Sequence, residues 1–227
     1  MDNMMMMEST GPMIGIFHFE VFLMLASGVF YLICAALLWK PFRQEKNELI
    51  GALFAFLVYQ AISMFFMGME MQTMNMVYSN ISSLAVFIGS AFMLKFPLSS
   101  FSASTRKIGF LLSLIAVLGL FAWFIQTEER EMMLMSFTLW YDIAINGIIV
   151  GGSIIALGIN AERWMRVKAF GGGSGVVACC VLANATMIGG AILTSSVFQF
   201  AAPVLILGSL TYARKKQAEE SRMQPAN

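Results

Sequence analysis

MIGIFHFEVFLMLASGVFYLICAALLW, residues 13–39, decides the class of this protein. A helix needs about 20 predominantly apolar residues to cross the hydrocarbon core of a bilayer. This stretch is longer than that, and Glu20 is its one carboxylate and His18 its one other ionisable side chain apart from weakly acidic Cys34 and Tyr31. An amphipathic helix of a soluble domain would carry a polar stripe, whereas this run is apolar around its whole circumference. Lys40, Arg43 and Lys46 follow it at once. The segment that precedes it, Met1 to Gly11, carries Asp2 and Glu8 but no basic residue and no clear small-residue cleavage site. It does not read as a secretory signal, so the apolar run is expected to be retained as a span.

The rest of the chain repeats the pattern. Hydrophobic residues make up 59% of the 227 and charged residues only 12%, with a mean hydropathy of +0.77. So few charges cannot cover the surface of soluble domains of this total length. Apolar segments recur at residues 49–69, 76–97, 108–126, 133–159, 173–193 and 194–213, the last two parted by a tight turn expected at 193–196. The expected fold is therefore an all-α integral membrane bundle of seven transmembrane helices. Residues 1–12 form a Met-rich segment outside, 13–213 the helical domain, and 214–227 a basic tail.

Orientation follows the positive residues. Of the 14 Lys and Arg, only Arg130 falls on one side of a seven-span arrangement, in 127–131 beside Glu128, Glu129 and Glu131. Lys40, Arg43, Lys46, Lys95, Arg106, Lys107, Arg163, Arg166, Lys168, Arg214, Lys215, Lys216 and Arg222 all fall on the other. That side is cytoplasmic, which puts the N-terminus outside, the C-terminus inside and the protein in the cell membrane as a multi-pass chain. Trp39 and Trp164 at the inner ends, and Trp123 at an outer end, occupy interfacial positions. A net charge of +1 argues against nucleic acid as a partner, because phosphate binding needs a basic face.

Spans one to three and five to seven run in the same direction, with span four between them. A shift of about 120 residues, the size of a domain unit, sets Glu20 on Asp142 and Gly51 on Gly173. The inner ends of spans three and seven read IGSAFMLK (88–95) and LGSLTYAR (207–214). These matches are compatible with a parallel repeat of three plus one plus three, an organisation found among transporters. Microbial rhodopsins and small three-plus-one-plus-three sugar carriers share the seven-span outline. Residues 194–213 lack the lysine that would hold retinal, and the Pro-Gln signature of the carriers is absent, so the outline carries no function.

No enzyme signature is present. There is one histidine, no HExxH, no GxSxG and no phosphate loop. Gly171-Gly172-Gly173-Ser174-Gly175 lacks the Lys-Ser/Thr of such a loop and reads as a flexible lead-in to span six. Cys34, Cys179 and Cys180 sit in apolar runs without metal spacing and read as small packing residues.

Ionisable and polar groups within the spans are more informative, because a charge in hydrocarbon costs several kcal/mol. Glu20 heads a stripe with Met24, Ser27 and Tyr31; His18 points about 160° away from it on a helix. In span five Asp142, Asn146 and Ser153 share one face, and Gly147 and Gly151 the other. Gln60, Ser63 and Glu70 in span two, Asn80, Ser83 and Ser90 in span three, Cys180 and Asn184 in span six, and Ser195 and Gln199 in span seven form matching stripes. Gln199 lies four residues before a kink expected at Pro203. The candidate sites for substrate or ion are thus Glu20, Asp142, Asn146, Gln60, Asn80, Asn184, Gln199 and His18, lining an outward-facing cavity. The structural alternative is interhelical hydrogen bonding, which suffices for the amides and serines but seldom calls for two carboxylates.

The 20 methionines crowd the outer side. The run Met67, Met69, Met71, Met74 and Met76 resembles the Met-rich motifs of copper-uptake proteins, and thioethers suit Cu(I). Methionine standing in for leucine at helix ends accounts for the same run without metal. No other cofactor is expected. The functional expectation is non-enzymatic binding or transport of a small, cationic or proton-coupled solute. The alternatives are a sensor or receptor that works through a cytoplasmic protein partner, an accessory subunit of a membrane complex, and Cu(I) handling.

Overall fold

The computed structural model describes residues 13–14, 17–45, 48–99, 101–126, 179, 182–183, 185–186 and 191–223. These are almost entirely helical: α1 (Phe19–Glu45), α2 (Glu48–Thr73), α3 (Met76–Met93), the single turn α4 (Lys95–Leu98), α5 (Ala103–Gln126) and α6 (Ile192–Met223), preceded by two short strands, β1 (Met13–Ile14) and β2 (Phe17–His18). Four helices, α1, α2, α3 and α5, are long and apolar enough to cross a membrane, and the apolar part of α6, Ile192–Gly208, is somewhat shorter. The spans expected at 133–159 and most of 173–193 lie outside the described residues.

Several boundaries differ from the sequence expectation, each for a local reason. The first helix begins at Phe19, not at residue 13, because β1 and β2 pair antiparallel, Met13 opposite His18 and Ile14 opposite Phe17. Gly15, a poor helix former, is one of the two residues that join them. Glu20 then falls in the first turn of α1, where the helix dipole favours an anion. The third span is broken at Leu94: Pro97 has no N–H for the Met93 carbonyl, so α3 stops there and α4 restarts the chain. The fourth begins earlier than 108. Ser102 caps α5, its Oγ accepting from the Thr105 N–H at 3.4 Å while its carbonyl takes the Arg106 N–H at 2.9 Å. Nor is there a turn at 193–196, since α6 runs through these residues and on to Met223.

The connection between α2 and α3 is two residues long. Met74 adopts the left-handed conformation, φ 52°, and its N–H closes on the Glu70 carbonyl at 2.7 Å, the arrangement of a left-handed helix cap. Asn75 then caps α3 by accepting from the Val77 N–H at 2.9 Å.

Neighbouring helices alternate in direction. Between α1 and α2, Gly28 meets Phe65, Gly68 meets Met24 and Leu25, and Trp39 meets Phe54, so the two run antiparallel. Tyr59 stacks near Phe92 and Phe66 near Tyr78, which makes α3 antiparallel to α2. Phe87 against Phe121 and Phe92 against Phe110 do the same for α5. The helix α6 packs on α1 in the opposite sense: Phe30 meets Phe200 at 5.3 Å and the Cys34 thiol donates to the Pro203 carbonyl at 3.7 Å. Both partners advance together along the chain, so α1 and α6 are parallel. The core between α1 and α2 holds Met24, Tyr31, Cys34, Leu57, Ala61 and Met64, and Ile206 and Leu207 of α6 close it. In lipid such contacts stabilise through close packing, which is why small residues line the crossings.

The two ends of this bundle differ in charge. The C-terminal end of α1, with Lys40 and Arg43, lies with Lys95 at the start of α4 and with Arg106 and Lys107 in the first turns of α5. The lysine ammonium sits 4.5 Å from the Phe110 ring and the Arg43 guanidinium 5.8 Å from the Trp39 ring, contacts that let long basic side chains rest on aromatic surface. Glu20, Glu70 and Trp123 are at the opposite end.

Candidate functional site

Glu20 is the starting point, because it is 2% exposed on a helix otherwise built for apolar surroundings. The helical period carries its stripe inward through Met24, Ser27 and Tyr31 to Cys34, and all five side chains are buried. Ser27 donates back to the Leu23 carbonyl at 2.7 Å, so its hydroxyl is satisfied within its own helix. Both Glu20 and the half-buried His18 on β2 make interactions with their surroundings. The carboxylate thus lies buried at the acidic end, in the first turn of α1.

The second polar locus joins α2 to α3. Ser63 and Ser82 are buried, with their hydroxyls 2.9 Å apart. The Ser82 hydroxyl also reaches the Ser63 carbonyl at 3.0 Å. With the Ser82 proton directed to that carbonyl, Ser63 supplies the proton of the hydroxyl pair, and both groups are satisfied. Ser82 was not in the stripe read from the sequence, which ran through Asn80 and Ser83. Those two residues are half-buried, as is Gln60, while Ser90 is buried. Adjacent serines point about 100° apart on a helix, and the α2 contact selects Ser82.

The third locus is on α6. Ser195 and Ser196 are fully buried. Ser196 donates to the Ile192 carbonyl at 3.0 Å, but the Ser195 hydroxyl and the buried Oε1 of Gln199 have no hydrogen-bond partner among the described residues. The pairing of α6 with α1 sets this region at the level of Leu25 to Phe30, roughly ten residues and therefore about 15 Å inward of Glu20 at its far limit.

The structure therefore sets Glu20 in the first turn of α1 and Gln199 further in on α6, which packs on α1 at Phe30 and Cys34, and places Gln60 and Asn80 on the neighbouring α2–α3 pair. Asp142, Asn146 and Asn184 lie outside the described residues. The methionines divide. Met67 and Met71, one turn apart, pack against the α1–α2 core, whereas Met69, Met74 and Met76 are exposed at the end of α2, in the turn and at the start of α3. Among the described residues, no three His, Cys, Asp or Glu side chains are grouped to hold a metal ion.

No protein family, characterised relative or solved structure matches this chain.

Proposed function

We propose that this chain is a seven-span protein of the cell membrane, N-terminus outside, that binds or moves a small cationic or proton-coupled solute through a polar seam opening at its acidic end. The observation that carries it is the burial of Glu20. A carboxylate inside a spanning helix costs several kcal/mol, and such groups commonly mark solute or proton pathways. Hydrogen bonds between helices explain the Ser63–Ser82 pair but do not call for an acid at the head of a buried stripe.

The parallel packing of α1 and α6 supports an odd number of spans. Antiparallel α1, α2, α3 and α5 bring the chain at Gln126 back to the end where α1 starts. For α6 to begin at that same end, 127–191 must cross an even number of times, and it holds the two apolar segments 133–159 and 173–193. The gathering of Lys40, Arg43, Lys95, Arg106 and Lys107 at the other end supports a cytoplasmic assignment for that end. Asp142 would be the second acid, in span five, and the repeat of three plus one plus three would relate it to Glu20.

The test is ligand-dependent thermal stabilisation of the purified protein, across a pH series, for wild type, Glu20→Gln and Asp142→Asn. The amides keep shape and most hydrogen-bonding capacity. Each should fold normally and lose the response to solute; wild-type behaviour from both would leave the acids as structural glue and favour the accessory-subunit alternative. Cu(I) handling is the second reading, favoured by the exposure of Met69, Met74 and Met76 around one turn. Retention of Cu(I) against a moderate chelator, abolished by Leu at these three positions, would support it, and equal retention by the variant would end it.

A further inference from the structure

We propose that the junction of α3, α4 and α5 at the basic end binds one anionic phospholipid, its phosphate held by Lys95 and Arg106 and an acyl chain laid along Ile108, Leu111, Leu112 and Ile115 of α5. The inference goes beyond the function proposed above and does not rest on it. Its first support is where the two cations stand. Phe92 of α3 and Phe110 of α5 meet with 5.4 Å between ring centroids. The Lys95 ammonium lies over that pair, 4.5 Å from the Phe110 ring and 5.9 Å from the Phe92 ring. Arg106 stands four residues before Phe110, and side chains four apart share one helix face. Both positive groups therefore belong to the same side of α5, close to where Leu98 of α4 packs on Gly109.

The second support is that neither charge is answered. The Arg106 Nε is buried and donates to nothing among the described residues. Among those residues Lys95 and Arg106 make no ion pair and no side-chain hydrogen bond, and Glu20 and Glu70 lie at the opposite end. A buried donor without an acceptor is costly, the more so when it is charged. The guanidinium presents a planar fork that matches phosphate oxygens, and the ammonium adds a point charge. The start of α5 acts in the same sense, because the N-terminal pole of a helix favours an anion. The third support names the bearer of the phosphate. Ile108, Leu111, Leu112 and Ile115 recur at helical spacing and are 56–61% exposed, and exposed Lys107 heads their face. They form an apolar strip about 10 Å long that starts at the basic group. A free phosphate has no use for such a strip, whereas a phospholipid fills both parts. Basic pockets between spanning helices are known places for anionic headgroups. Topology alone requires only that the charges lie on one side of the membrane; it does not call for a guanidinium whose Nε is buried and unanswered.

The experiment uses the full chain in micelles of a neutral detergent, with thermal unfolding followed as dioleoyl phosphatidylglycerol, dioleoyl phosphatidylcholine or inorganic phosphate is added. A specific site gives a saturable rise in Tm, because binding to the folded state alone stabilises it. Phosphatidylglycerol should produce that rise. Phosphatidylcholine, whose choline cancels the charge, and inorganic phosphate, which cannot use the strip, should not. Arg106→Met keeps the apolar stem and removes the fork. It and Lys95→Met should each weaken the apparent affinity roughly tenfold or more, the usual effect of losing a contact to a charged group. Arg106→Lys keeps the charge without the fork and should also weaken it. Arg43→Met takes the same charge from an exposed position on α1 at the same end and should bind as wild type does. In phosphatidylcholine these variants should unfold near the wild-type temperature, which separates lost binding from lost folding. Should Arg106→Met fail to fold, Lys95→Met and Arg106→Lys decide the same question. An equal rise with inorganic phosphate would overturn the lipid assignment, and an equal rise with phosphatidylcholine would overturn the site. Equal weakening by Arg43→Met and Arg106→Met would mean diffuse surface charge and would overturn it too, as would wild-type affinity in both Arg106→Lys and Lys95→Met.

Discussion

Replacing Gly89 and Gly119 separately by alanine should move stability in opposite directions, although the chemical change is the same. A Cβ on Gly89 would lie 3.0 Å from the Cβ of Tyr59 and 3.7 Å from the Phe56 carbonyl oxygen. Neither atom sits at the end of a flexible side chain, so α2 and α3 must separate to make room. Overpacking of that kind costs about 1–3 kcal/mol, set against up to about 1 kcal/mol that alanine gains over glycine in helix propensity. Gly89→Ala should therefore be destabilised by up to about 2 kcal/mol after that offset. At Gly119 nothing among the described residues lies within 4 Å of the added carbon, so only the propensity gain remains. The difference between the two variants, about 1–3 kcal/mol, is independent of the propensity value because it enters both. The assay is reversible unfolding of each variant in mixed micelles, followed by tryptophan fluorescence. Equal shifts, or a more stable Gly89→Ala, would refute the close approach of α2 and α3 at Tyr59.

Three further outcomes follow from separate features. A double-mutant cycle on Ser63→Ala and Ser82→Ala should give a coupling of about 0.6 kcal/mol, typical of hydrogen bonds between spanning helices; zero coupling would dissolve the α2–α3 polar contact. Met74→Gly should stabilise by about 0.5–1 kcal/mol, because relief of a left-handed non-glycine residue outweighs the added freedom of the unfolded chain, whereas Met74→Val should destabilise. A reporter active only in the cytoplasm should work when fused after Met223 and stay silent when inserted at 127–132, and activity at both places would mean an even number of spans.

The apolar character of the spans was legible because it needs only composition and length, and the buried stripe from Glu20 to Tyr31 because a helical period fixes its face. Hydropathy does not tell strand from helix at Met13 to His18, where both are apolar, so it predicts a helix from residue 13 where α1 begins at Phe19. It also misplaced a turn at 193–196. Thr194, Ser195 and Ser196 lower hydropathy as a turn would, but a serine such as Ser196 satisfies its hydroxyl on a carbonyl of its own helix and need not end it. Ser82 was missed for another reason: which of two adjacent serines faces α2 depends on the partner helix, and no single helix encodes that. The orphaned oxygens of Ser195 and Gln199 belong to the same class, since lack of a partner is a property of packing.

Flux through the protein acting alone tests the central claim most directly. The full chain would be reconstituted into sealed vesicles of neutral lipid with a gradient of a small cation, and uptake of labelled cation or the accompanying pH change recorded for wild type and Glu20→Gln. The account predicts saturable movement by wild type and its loss in a Glu20→Gln protein that inserts and folds normally. The same traces from both proteins and from empty vesicles, with no cation-dependent stabilisation of either, would contradict it.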